Sequence, residues 1–436
     1  MNAFEPTESF ARDLDCRDPL AAYRDRFHIP TRPNGEQAIY FCGNSLGLQP
    51  KAARDAVLVE LDDWAALAVD AHFEGRNPWY PYHEFLREPA ARLVGARPRE
   101  VVIMNGLTVN LHLLMVSFFS PTPQRHKILI EDAAFPSDTY AVRTQLAFHG
   151  FNPDDALVLL KPRPGEQLMR TEDIESLLAE QGQQIALALL PGVNYLTGQA
   201  LDLPRLTAAA HAAGCVIGVD LAHAAGNLPL ALHDWNVDFA AWCSYKYLNS
   251  GPGAVAGCFI HERHVTNPDL PRFGGWWGND PKTRFRMHLE PEFVPVASAD
   301  AWQLSNPPIL AMAPVLASLK IFDEVGMPAL RAKSLQLTGY LRFLIDQLAG
   351  DGSATSDATR HRYQIITPRE PDQHGCQLSF LVHDRPRELR ERLQKEGVVC
   401  DFREPNILRA APTPLYNTFH EVWRFAQILS RHAQAG

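Results

Sequence analysis

The chain has no apolar run near the roughly 20 residues that a bilayer-spanning helix needs. It has no block of like charge: a net charge of −9 is spread along the sequence. Nucleic acid and anionic membrane are thereby excluded as main partners. The start, MNAFEPTESFARDLD, is acidic and lacks the apolar core of a secretory signal. The expectation is a soluble, cytoplasmic protein. The seven cysteines (16, 42, 215, 243, 258, 376 and 400) contain no C-x-x-C pair. They read as reduced and mostly buried, neither a disulfide frame nor a zinc site, and no metal is expected. No internal repeat or low-complexity tract is present. Lysine is scarce as well: only positions 51, 127, 161, 246, 282, 320, 333 and 395 carry one, so any lysine chemistry has few candidates.

What is present suits a large folded enzyme. The 436 residues are 46% apolar and 21% charged, enough for a sizeable core and for two or three domains. From about 95 to 245, short β-branched runs alternate with helical periods. The strings 101–105, 127–131, 156–160, 184–190 and 215–220 read as strands. Helices fit at 107–119, 137–150, 170–182 and 203–214. This alternation predicts an α/β fold, with a mainly parallel sheet sandwiched by helices. After about 265 the rhythm changes. A Gly/Trp/Arg-rich loop region runs over 271–287, a long helical stretch over 309–349, and a smaller α+β domain follows. The expected division is a large domain at 76–310, with 1–75 and 311–436 forming an N-terminal segment plus a small domain.

One lysine stands out. In "CSYKYLNSGPG" (243–253), Lys246 follows the mostly apolar run 237–243 and precedes a Gly/Pro-rich turn. Twenty-six residues earlier, Asp220 ends the apolar strand "CVIGVD", at the sheet edge where ligands bind in open α/β folds. An aspartate against a pyridine nitrogen and a lysine able to form a Schiff base are the protein's half of pyridoxal-phosphate (PLP) chemistry. Read alone, each residue has a plainer role: Asp220 as a cap or turn former, Lys246 as a solvated turn residue. "GPGAVAG" (251–257) does not fit a dinucleotide-binding loop.

Other segments add to the pair without deciding it. "MNGLTVN" (104–110) turns from strand to helix at Gly106, offering free N–H groups and the Thr108 hydroxyl to a phosphate. A plain helix cap explains it equally well. In "AFPSD" (134–138), Phe135 could stack on a ring or simply pack, and Asp138 could only cap. His223, three residues after Asp220, is within reach of the same ring or is an ordinary packing residue.

The strings together are similar to the kynureninase family, fold-type-I PLP enzymes related to class-V aminotransferases. "YFCGNSLGLQPK" (40–51), "LTVNLHLLMVSFFSPT" (107–122), "AFPSD", "TGQALDLP" (197–204) and the long run 220–253 carry the resemblance. So do "GWWG" (275–278), "TRFRM" (283–287), "SNPPIL" (305–310), "GVVCDFREPN" (397–406) and "APTPLYNTFHE" (411–421). The match runs through nearly the whole chain, in order.

The resemblance implies hydrolysis of L-kynurenine, or of its 3-hydroxy derivative, to an anthranilate and L-alanine. The setting would be tryptophan catabolism or NAD biosynthesis. It implies a homodimer with shared active sites. Lys246 would be the Schiff-base lysine, Asp220 the pyridinium partner and Tyr245 a proton relay. Leu107, Thr108, Phe135, Pro136, Ser137, Asp138, His223, Tyr245, Trp276 and Asn306 would hold the cofactor, with Trp276 and Asn306 arriving from the neighbouring subunit. Arg409 would pair with the substrate α-carboxylate, and Ser45, His72 and Asn306 would line the aryl-ketone end. One position departs from the family: Pro191 stands where a small hydroxylic residue is common, and proline has no donor to offer.

Two rivals remain at this stage. A cysteine desulfurase or aminotransferase shares the "SYKYLNSGPG" region, but a desulfurase needs a nucleophilic cysteine on a mobile loop, and none lies between Cys258 and Cys376. A non-catalytic binding protein that kept the fold is the other.

Overall fold

The alternating runs between 101 and 260 build one sheet in the computed structural model, which describes residues 4–132, 134–267, 269–350 and 362–434. A short strand β1 (Ile39–Tyr40) precedes it. The sheet itself comprises β2 (Val101–Ile103), β3 (Lys127–Glu131), β4 (Leu157–Leu160), β5 (Ile185–Pro191), β6 (Val216–Asp220), β7 (Phe239–Trp242) and β8 (Gly257–Ile260). Their order is β2-β8-β7-β6-β5-β3-β4. The run from β4 through β3, β5 and β6 to β7 is parallel. β8 lies antiparallel between β7 and β2. Strands covered on both faces must be apolar throughout, which is why "IALALL" and "FAAW" show no alternation: every one of these residues is buried.

The helices Leu107–Phe118, Pro136–Phe148, Thr171–Gln181 and Leu203–Ala212 match the predicted periods to within two residues at either end. Two features differ from the sequence reading. The apolar run before Lys246 is a strand, β7, and it is followed by a second strand, β8, that went unread. Its four buried residues, "GCFI", are too short for periodicity to register. The stretch 309–349 is two helices, Ile309–Val325 and Met327–Gly350, because Gly326 turns the backbone at φ +77°. Its N–H closes the first helix on the Phe322 carbonyl (2.8 Å), and Pro328 opens the second. Apolar periodicity runs through this break and hides it.

A second sheet carries the C-terminal part. Strands β9 (Tyr363–Ile365), β10 (Leu378–Val382), β12 (Asp401–Arg403) and β13 (Ile407–Ala410) form an antiparallel sheet of order β12-β13-β10-β9. Strand β11 (Val398–Val399) pairs with β1, tying the N-terminal segment to this half. Each sheet has its own core. Val219, Ala240, Trp242 and Phe259 pack with Met312, Val315 and Leu319 of the helix Ile309–Val325. Phe380, Leu408 and Val422 pack with Ala11 of the helix Glu8–Cys16. Among the described residues, no helix is long and apolar enough to cross a membrane.

Candidate active site

Parallel strands end together, so side chains at their carboxyl ends share one edge. Glu131 ends β3, Pro191 ends β5 and Asp220 ends β6. Lys246 stands four residues beyond β7, on the adjoining loop. These four line one cavity of about 260 Å³, together with Leu107, Thr108, Phe135, Ser137, Asp138, Tyr195, His223 and Tyr245.

The loop that carries Lys246 is tightly held. Its ends close through Ser250 N–H to the Ser244 carbonyl (3.0 Å), and Asn249 N–H donates to the Lys246 carbonyl (2.9 Å). Asn249 adopts φ +57°. Gly47 N–H donates to the Tyr245 carbonyl (2.8 Å) from the N-terminal segment. A Cβ on Gly47 would stand 2.3 Å from the Lys246 carbonyl oxygen, so only glycine permits this approach.

Lys246 Nζ lies 2.9 Å from His223 Nε2 and 5.8 Å from the centre of the half-exposed Phe135 ring. Burial, then the Lys246 charge, holds His223 well below its ordinary value, so the imidazole is neutral. Its Nδ1 is buried without a partner among the described residues. Asp220 Oδ1 accepts the Ala222 N–H (2.7 Å). Burial, then the neighbouring Asp220 carboxylate, pushes Asp138 well up. Burial pushes Glu131 up to about 7, opposed by the Asn194 side-chain amide that donates to it at 2.9 Å. Burial likewise raises the Tyr245 phenol.

Two helix N-termini meet at the other end of the cavity. Gly106 and Phe135 are the caps of Leu107–Phe118 and Pro136–Phe148, and neither supplies a side-chain acceptor to the free N–H groups. The second residues of these helices, Thr108 and Ser137, bring their hydroxyls to 2.9 Å. Free amides, two hydroxyls and two positive dipole ends suit a phosphate.

The donor set fits pyridoxal phosphate. Asp220 lines the cavity beside the raised Asp138, and a protonated ring nitrogen would give its carboxylate a cationic partner. His223 Nδ1 lacks a partner, and Phe135 offers a ring face. Pro191 lines the wall as the Cα partner of Asp220 and adds no donor.

The other expected site residues lie outside this cavity. Pro136 borders a shallow surface hollow shared with Thr108 and Phe135. Ser45 sits in a turn, its N–H on the Cys42 carbonyl (2.9 Å). His72 is half-buried, edge-on to Trp79 at 5.2 Å. Trp276 donates its indole N–H to the Arg284 carbonyl (3.0 Å) and is 38% exposed. Asn306 is exposed. Arg409 is buried behind Tyr195, whose carbonyl oxygen accepts from its Nη1 (2.5 Å). Tyr195 packs edge-on against Phe135 at 5.4 Å.

Glu131, Asn194 and Tyr195 were not picked out from the sequence. Glu131 ends "KILIE" as Asp220 ends "CVIGVD", and the same sheet-edge argument would have found it.

Residues 39–376 match the family model of class-V aminotransferases, and residues 330–429 that of the kynureninase C-terminal domain. The chain is 56% identical over 425 residues to the kynureninase of Koribacter versatilis (strain Ellin345), covering 98% of this chain and 97% of that one. It is 56% identical over 431 residues to the kynureninase of Myxococcus xanthus (strain DK1622), covering 99% and 98%. Among solved structures, the cysteine desulfurase CsdA of Escherichia coli aligns with TM-score 0.74 at 18% identity, covering all of both chains. The apo cysteine desulfurase of Thermococcus onnurineus NA1 aligns with TM-score 0.73 at 17% identity, over 94% of this chain and 99% of that one. A C-DES mutant with glycine covalently linked to its PLP cofactor aligns with TM-score 0.73 at 18% identity, over 93% and 98%. The likeness to these structures is one of fold.

Proposed function

The chain belongs to the kynureninase family, and from that premise we infer that it is a PLP-dependent hydrolase of carbon–carbon bonds in ketones. With water it cleaves the Cβ–Cγ bond of L-kynurenine and releases anthranilate and L-alanine, a step of tryptophan catabolism. One observation carries the reading: identity of 50–56% to curated kynureninases along almost the whole chain. The desulfurase rival finds no support in the thiols. Cys376 is buried, and burial pushes it up to about 12, far from a loop nucleophile.

When bound, PLP supplies the electron sink for the carbanions that this cleavage requires. Our assignment of roles to the chain's own residues rests on the cavity geometry. Lys246 holds the cofactor and moves the substrate's α-proton through Nζ. The neutral His223, whose Nε2 lies 2.9 Å from Nζ, fixes the position of that amine by a hydrogen bond without competing for charge. Asp220 holds a proton on the pyridine nitrogen, with Asp138 beside it, and Phe135 stacks on the ring. Leu107 closes its apolar side. Thr108, Ser137 and the two helix N-termini hold the phosphate. The Tyr245 phenol, kept protonated by burial, is suited to deliver a proton to the alanine β-carbon.

We also propose a homodimer in the cytoplasm. Trp276 and Asn306 are exposed and outside their own chain's cavity, as residues serving a neighbour's site would be. Leu58, Trp64, Val69, Phe73, Phe285 and Phe293 are exposed hydrophobics on the N-terminal helices and the 271–295 segment, as an interface would require. Arg409 is the carboxylate anchor in this reading, with Ser45, His72 and Asn306 at the aryl end.

Purified protein given L-kynurenine should release anthranilate and L-alanine in equal amounts. Parallel rates with the 3-hydroxy substrate measure the aryl preference. Release of alanine from cysteine, with none from kynurenine, would replace this function by desulfuration.

A further inference from the structure

Strands β12 and β13 run antiparallel, and their register sets Asp401 directly opposite Arg409. Asp401 Oδ1 accepts from Arg409 Nε (2.8 Å) and lies 2.8 Å from Arg409 Nη2. The same carboxylate accepts a fork from Arg403: Nε to Oδ1 at 2.8 Å and Nη2 to Oδ2 at 3.1 Å. One carboxylate therefore carries two guanidiniums, and the trio keeps one positive charge. Arg409 is 1% exposed, and the Arg403 side chain 40%.

A guanidinium has five N–H donors in fixed directions. Arg409 donates Nε–H to Asp401 and one N–H of Nη1 to Tyr195, while Nη2 only stands near Asp401 as part of the ion pair. At least one N–H remains on each terminal nitrogen, enough for a carboxylate to take in a bidentate pair. The two guanidiniums lie 5.8 and 5.9 Å from the Tyr195 ring, which walls the cavity. Both are close enough to help hold His223 neutral.

We propose that Arg403 is a positioning residue for recognition of the substrate's α-carboxylate: by sharing Asp401, it leaves the buried Arg409 with uncompensated positive charge. This rests on the reading of Arg409 as the anchor. Without Arg403, Asp401 offsets more of the Arg409 charge, and an incoming carboxylate meets a second carboxylate across one guanidinium with a weaker net attraction. With Arg403, the incoming carboxylate brings the group to neutrality. Selectivity for an amino acid over the corresponding amine is the consequence.

The test uses the PLP-loaded enzyme and two probes, L-homophenylalanine and phenylpropylamine, which differ only in the carboxylate. Dissociation constants are read from the change in cofactor absorbance. Arg403→Gln should weaken the amino acid on the order of two- to fivefold, the scale of a partly exposed charge contact, and leave the amine unchanged. Arg403→Lys should restore most of the loss, because the charge returns. Equal losses for both probes, no loss, or a loss that lysine does not repair would overturn the proposal. Arg409→Gln isolates the underlying reading: if that variant still prefers the amino acid as strongly as the parent does, the anchor is elsewhere and the role of Arg403 falls with it.

Discussion

Lys246 Nζ stands 2.9 Å from Nε2 of His223, whose other ring nitrogen is buried with no partner. Whichever of the two nitrogens donates in that contact, Nδ1 is orphaned among the described residues. An orphaned buried polar group costs about 1–3 kcal/mol until something pairs with it. The chain keeps this arrangement at a residue that lines the cavity.

His223→Phe should therefore leave the cofactor-free protein at least as heat-stable as the parent, since the orphan is gone. Its PLP affinity, measured by equilibrium dialysis, should fall about 10- to 100-fold, the value of a hydrogen bond to a charged group. Undiminished PLP affinity would remove His223 from the site.

Glu131 makes a pH prediction. Burial raises its folded value to about 7, above the ordinary carboxyl value of 4.5. A raised carboxyl stabilises the fold fully below pH 4.5, and that stability is lost as pH climbs through 7. Glu131→Gln has no charge to bury. The cofactor-free variant should thus withstand more urea than the parent at pH 8, and the difference should shrink toward pH 4.5. A difference that stays constant with pH would show that Glu131 does not titrate in this window.

Gly47→Ala tests the support beneath the lysine. Its new methyl would press on the Lys246 carbonyl at 2.3 Å and on Asn249. The loop must shift, and a displacement near 1 Å at a reacting group costs about 10- to 100-fold in kcat/KM. An unchanged kcat/KM would mean that the loop has slack the structure does not suggest.

The shared-site proposal can be read from hybrids. Lys246→Ala and a Trp276→Ala, Asn306→Ala double variant should each be inactive alone. After subunit exchange, a 1:1 mixture should regain about a quarter of parent activity, because half the dimers are hybrids with one complete site. A mixture that stays inactive while hybrids are seen by native mass spectrometry would place all catalytic groups on one chain.

Much of this was legible in the sequence because local pattern and global fold agree. The strands from 101 to 220 are apolar on both faces and bounded by helical periods, so their number and direction could be read. Asp220 and Lys246 stood out because a charge beside an apolar strand needs a reason. What escaped depends on pairing. Arg403 meets Arg409 only through the antiparallel register of β12 and β13, which no spacing reveals. β8 is four residues long, and the turn at Gly326 leaves the apolar period unbroken on either side. Glu131 was visible at a sheet edge and was passed over, since a strand-end carboxyl alone has many uses.

The cofactor and the chemistry assigned to this site both turn on the amine at 246. The purified enzyme, loaded with PLP, reduced with borohydride and digested with trypsin, should carry the phosphopyridoxyl mass on the peptide containing Lys246 and on no other. A label on another lysine, or a reduced protein with no label, would contradict that assignment.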